Sequence, residues 1–114
     1  MTAGRRALGA HGEDRAAAWY RANGYEILDR NWRCRAGEID IVARRGRVIV
    51  VCEVKTRSSD AYGSPAAAVT IEKQRRLRRL GVTWLEAHDH RGAALRFDVA
   101  GVVGGVVTVL EAAF

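Results

Sequence analysis

Acidic residues set inside β-branched runs constrain this chain most. Residues 37–57 read Gly-Glu-Ile-Asp-Ile-Val-Ala-Arg-Arg-Gly-Arg-Val-Ile-Val-Val-Cys-Glu-Val-Lys-Thr-Arg. Two apolar runs, 39–43 and 48–54, flank a polar link with Gly46 at its turn, the pattern of two β-strands joined by a tight connection. Successive side chains alternate faces along a strand. Glu38 and Asp40 are therefore expected on one face of the first strand. On the second, Ile49, Val51, Glu53 and Lys55 share a face, and Val48, Val50, Cys52 and Val54 take the other. Ionised groups are costly to desolvate, so in such runs they are usually paired or bound to metal. If the strands pair with their charged ends together, Asp40, Glu53 and Lys55 converge on one small volume.

Two neighbouring carboxylates repel when both ionise, and a divalent cation relieves this. Mg²⁺ suits the oxygen ligands. Mg²⁺ keeps several waters and is held by one or two protein carboxylates plus substrate phosphate. Asp40 and Glu53 supply the carboxylates in this reading, and the backbone carbonyl of Val54 adds a third oxygen. Lys55 then stabilises a developing anion or orients an attacking water. Metal, water and ammonium beside a phosphate make a phosphodiester hydrolysis site. The other reading of the same residues is a structural Glu53–Lys55 salt bridge with Asp40 facing solvent.

At 114 residues the chain is long enough for one domain with a single core. Its hydrophobic fraction of 48% fits a globular protein rather than a disordered one. The net charge of +6 comes mostly from Arg. Arg favours bidentate phosphate contact, so nucleic acid is an expected partner, the alternative being a basic protein from an organism with Arg-rich coding. No apolar run follows the first charges and none approaches the length of a membrane span. Cys34 and Cys52 form no CxxC unit, and Cys52 falls within a strand as a small apolar residue. A cytoplasmic protein that does not engage a membrane is expected.

In chain order, residues 1–7 read as a loose basic arm. Residues 8–23 favour helix and stop at Asn23-Gly24. Glu13, Ala16, Ala17 and Tyr20 share a stripe of that helix. Glu13 there either complements the helix dipole or serves as a further metal or water ligand. Residues 25–32 read as a first strand, followed by a turn whose Arg33 and Arg35 border any site at Glu38 and Asp40. The loop 58–65 begins just after Lys55. It is either a surface connector or a lip over the site, with Tyr62 able to stack on a base. Thr70 caps a long helix running to about His88, with Leu77, Leu80, Gly81, Trp84 and Leu85 as its apolar stripe. Lys73 lies one turn before Leu77 on the same side. Arg75, Arg76, Arg78 and Arg79 form a phosphate-binding cluster or a solvated face. His88 and His90 read as surface residues. Residues 95–103 and 106–110 read as strands joined at Gly104-Gly105, with Asp98 structural and paired with an Arg.

An early-helix Glu13, Asp40 on the second strand, Glu53-Val54-Lys55 on the third and a basic helix after it resemble the PD-(D/E)xK nuclease superfamily. Gly12-Glu13, Asn31-Trp32-Arg33, Gly37 to Asp40, Glu53 to Arg57, Lys73 and Arg96-Phe97-Asp98 are similar to the bacterial YraN family of uncharacterised predicted nucleases. The spacing is also similar to archaeal-type Holliday junction resolvases. Ile39 stands where the superfamily's namesake Pro would be. The resemblance implies a restriction-endonuclease-like α/β domain, a mixed sheet of about five strands in the order α-β-β-β-α-β-β. It implies Asp40, Glu53, Val54 and Glu13 as metal ligands, Lys55 as the catalytic lysine with Glu13 completing the site, and Glu38, Lys73 and Gln74 as positions of undefined role. It further implies Mg²⁺- or Mn²⁺-dependent cleavage of branched DNA by a homodimer. Arg33, Arg35, Arg57, Lys73, Arg75, Arg76 and Arg79 are expected to contact nucleic acid. Two further readings stand beside this: a non-catalytic binding module with a vestigial site, and an RNase using the same residues.

Overall fold

A computed structural model of the chain describes residues 3–58 and 64–114, residues 3–10 by their backbone alone. The first helix, α1 (Ala3–Ala22), begins before the expected start at residue 8 and takes in most of the stretch expected as a loose arm. Next come β1 (Glu26–Cys34), β2 (Gly37–Arg45) and β3 (Val48–Arg57), then a 3₁₀ turn (Ala66–Ala68), α2 (Ile71–Ala87), β4 (Ala94–Val103) and β5 (Val106–Leu110). The α-β-β-β-α-β-β order is the expected one. Tyr62, in the loop 58–65, lies outside the described residues.

The five strands form one mixed sheet in chain order. β3 and β4 are parallel and every other neighbouring pair is antiparallel. A parallel neighbour needs a crossover, and α2 supplies it. Thr70 starts that helix as the sequence suggests: its Oγ1 accepts a hydrogen bond from Lys73 N at 3.1 Å.

Each helix covers one face of the sheet. Ala16, Ala17 and Tyr20 of α1 pack with Tyr25, Ile41, Ala43, Val50, Cys52 and Ala100. Leu77, Leu80, Trp84 and Leu85 of α2 pack with Ile39, Val42, Ile49, Val51, Phe97 and Val99 on the other face. β3 thus alternates as expected, with Ile49 and Val51 under α2 and Val50 and Cys52 under α1. β2 does not: Ile39 and Val42 lie under α2, but Ile41 and Ala43 lie under α1. The alternation slips at Asp40. Opposite it on β1, between the pairs Arg30–Ile41 and Trp32–Ile39, Asn31 adopts a positive φ of 53°. The β2–β3 ladder also ends there, its last pair being Ile41 with Cys52.

Two close approaches frame the region beyond that fork. Gly12 lets α1 settle on β3, since a Cβ there would lie 1.9 Å from Thr56 Oγ1. Glycine weakens a helix by about 1 kcal/mol, and here it permits contact between α1 and the strand beside Glu13. At the other end of the loop 58–65, Pro65 sits over Gly101, where a Cβ would meet Pro65 Cγ at 2.3 Å. Gly101 is in register with Lys55, so the loop returns to the sheet next to the lysine.

Candidate metal centre

Asp40 sits where β2 parts from β3. Its Oδ2 accepts a hydrogen bond from Val54 N at 2.8 Å, replacing the ladder bond that β2 no longer makes. The carboxyl therefore turns toward β3 rather than toward solvent, which corrects the structural alternative for this residue. Glu53 lies two residues beyond Val51 on the α2 face and is only 4% exposed. Lys55 Nζ is 3.7 Å from Glu53 Oε2, and Lys73 Nζ, from the first turn of α2, contacts the same oxygen. Three segments thus bring Asp40, Glu53, Lys55 and Lys73 to one place.

Burial pushes the Asp40 carboxyl up from its ordinary 3.8 to about 8, helped by the hydrogen bond with Glu53 and its charge. Burial alone would raise Glu53 too. The hydrogen bond with Asp40 and the Lys73 ammonium outweigh it and hold Glu53 below the usual carboxylate range. Burial and the neighbouring Glu53 charge both oppose ionisation of Asp40, which favours one proton held within the pair. The folded state holds this proton in a range where the unfolded chain has released it. Stability from this group is full below about pH 4 and is lost as pH rises through about 8. In chelator, the melting temperature is expected to fall between about pH 5 and pH 8, and to fall less in Asp40→Asn. A wild-type profile as flat as that of the variant would rule out this proton.

The donor set fits a hard divalent cation. Asp40 and Glu53 offer oxygens only, the ligand type such an ion prefers. Among the described residues no three His, Cys, Asp or Glu side chains close on one point. An ion held here would complete its shell with water and phosphate, as Mg²⁺ commonly does. Glu13 stands further back. It is half-buried, lies 3.6 Å from Arg30 Nη2, and its Oε1 is buried without a hydrogen-bond partner. Burial raises its pKa, and its charge in turn contributes to the rise at Asp40.

The basic residues divide into two groups. Arg33, 77% exposed, pairs with Glu38 at 3.1 Å, and Arg35 is exposed beside it. Arg75, Arg76 and Arg79 are exposed along α2, and Arg76 lies against Gly37 at the start of β2. Arg57 is half-buried at the end of β3. Lys73 instead turns inward to Glu53. A signal for this was present in the sequence, since Lys73 precedes buried Leu77 by one turn on the sheet-facing stripe. Asp98 takes no part in the site. Phe97 and Val99 point toward α2, whereas Asp98 points toward α1, where Tyr20 Oη donates to it at 2.7 Å and Arg96 pairs with it at 2.8 Å.

A family model described as "Uncharacterised protein family UPF0102" matches residues 12–102, a span that includes Glu13, Asp40, Glu53, Lys55, Lys73 and Asp98. The chain belongs to this family. It is the group that the sequence resembles under the name YraN. A UPF0102 protein of Parafrankia sp. (strain EAN1pec) is 59% identical over 95 residues, covering 83% of this chain and 80% of its own. One from Rhodococcus opacus (strain B4) is 52% identical over 99 residues, covering 87% and 84%. One from Frankia casuarinae is 56% identical over 93 residues, covering 82% and 79%. Among the described residues no helix is long and apolar enough to cross a membrane.

Proposed function

We propose that this protein is a metal-dependent endonuclease acting on structured or branched DNA. The reading rests on one observation: Asp40 at the β2–β3 fork, buried Glu53 and Lys55 share one site. Asp40 and Glu53 would hold Mg²⁺ or Mn²⁺, with the Val54 carbonyl as a further oxygen and Glu13 standing behind them. A divalent ion there supplies positive charge to a scissile phosphate and acidifies a bound water. Lys55 keeps an ammonium beside the reacting phosphate, where developing negative charge is stabilised. Arg33, Arg35, Arg57, Arg75, Arg76 and Arg79 offer salt-sensitive contacts to the phosphate backbone. The resemblance to junction resolvases adds branched DNA as substrate and a homodimer as the acting form. A cytoplasmic site of action goes with that substrate.

The test is a panel of four-way junction, flap, duplex, single-stranded DNA and RNA incubated with Mn²⁺, beside Asp40→Asn. The expected result is cleavage of branched DNA by the wild type alone. Cleavage of RNA in preference to DNA would replace the substrate and keep the site. Equal cleavage by Asp40→Asn would remove the site. A non-catalytic nucleic-acid- or protein-binding module is favoured by one observation, the closure of Glu53 by two ammonium groups. It predicts DNA binding with no Mn²⁺ binding and no cleavage.

A further inference from the structure

Two ammonium groups converge on one oxygen of the buried Glu53 carboxylate. Lys55 and Lys73 both face Glu53 Oε2, one from its own strand and one from α2. The lysines differ in how they reach it. Lys55 extends from the same strand, two residues along. Lys73 reaches across from α2, its backbone N–H fixed by Thr70 Oγ1 and its side chain 36% exposed. Lys73 therefore has both a flexible stem and an open route to water.

We propose that Lys73 is a built-in stand-in for the divalent cation: it neutralises Glu53 in the resting site and gives the carboxylate up when an ion binds. The inference rests on the reading of Asp40 and Glu53 as metal ligands. A divalent ion and two ammonium groups repel one another around a single buried carboxylate. Lys73 is the more exposed of the two, 36% against 28%, and reaches in from another element, so its release leaves Lys55 in the site on the strand that carries Glu53. Freed, its ammonium stays at the N-terminal turn of α2, a region already favourable to anions such as phosphate. Lys73 is thus a positioning residue for the metal site, set against metal binding rather than in support of it.

The two roles give opposite signs. A purely structural Lys73 predicts that its removal loosens Glu53 and weakens metal binding. A competing Lys73 predicts the reverse. Mn²⁺ affinity is measured by electron paramagnetic resonance on the wild type, Lys73→Met and Lys73→Arg, with Asp40→Asn alongside. Lys73→Met is expected to bind Mn²⁺ about tenfold more tightly or better, the scale of removing a charge in contact in a partly screened site. Lys73→Arg keeps the charge and is expected to stay near the wild type. In chelator Lys73→Met should melt below the wild type, and Mn²⁺ should raise its melting temperature by more. If Lys73→Met is unfolded in chelator, Mn²⁺ must refold it, and failure to do so overturns the proposal. Wild-type binding with equal or weaker binding by Lys73→Met overturns the proposal and leaves the metal site standing. Absence of Mn²⁺ binding in the wild type and both Lys73 variants, or undiminished binding by Asp40→Asn, overturns the metal site and the proposal with it.

Discussion

Glu53→Gln is expected to lower Mn²⁺-dependent cleavage by about 10³-fold or more, the scale of losing a principal electrostatic group in an active site. The substitution keeps the volume under α2 and keeps a hydrogen-bonding partner for Asp40. It removes the one carboxylate that the surrounding charges hold ionised. Lys55 and Lys73 lose their shared anion, but their ammonium groups are partly exposed and can turn to water. The fold is therefore expected to persist, with circular dichroism unchanged. Residual cleavage within about tenfold of the wild type would show that the reaction does not pass through Glu53.

Asp98→Ala is expected to be the most damaging single change to stability. Asp98 is fully buried on the α1 face of β4. Its Oδ1 accepts hydrogen bonds from Arg96 Nε at 2.9 Å and Ala112 N at 3.0 Å. Its Oδ2 accepts from Tyr20 Oη at 2.7 Å and Arg96 Nη2 at 2.8 Å. Four donors from three segments converge on one carboxylate. Removing it leaves the Arg96 guanidinium and two neutral donors without their acceptor, a loss of about 3–5 kcal/mol. A domain of this size has about 5–15 kcal/mol to lose. Tyr20→Phe deletes one donor only and should cost about 1 kcal/mol. Urea denaturation of the two variants measures both. A loss below about 1 kcal/mol for Asp98→Ala would mean that the network contributes little to holding β4, α1 and the C-terminal residues together.

The elements were legible because their signals are local. Thr70 ahead of a periodic apolar stripe marked α2, and the Gly46 and Gly104-Gly105 links marked the turns of two hairpins. The convergence of Asp40, Glu53 and Lys55 was legible for a related reason. An antiparallel pair joined by a short turn brings the two far ends of its strands together. Asp98 was read as structural, and the structure supplies Arg96 as its partner. The start of α1 was misread because Ala3 to Leu8 lacks an apolar stripe that would mark it.

What could not be read lay in contacts between distant segments. Strict alternation placed Glu38 and Asp40 together on one face of β2, but the strand slips at Asp40. The cause is a left-handed Asn31 on the neighbouring strand and a ladder that ends at Ile41, and neither shows in the periodicity of β2 itself. Lys73 was placed among residues that face nucleic acid, yet its ammonium meets Glu53 because the crossover sets the first turn of α2 over β3.

The sequence by itself determined which segments become helix and strand, and that two acids and a lysine in a hairpin end up near one another. Those outcomes follow from backbone periodicity and turn chemistry, which act over a few residues. Only the tertiary structure decided that Asp40 turns into the β2–β3 fork to take the Val54 N–H, and that Lys73 closes on Glu53 from another layer. Both depend on where the packing of two cores against one sheet brings separate segments to rest, and a buried carboxylate then takes whatever donors and charges it meets there.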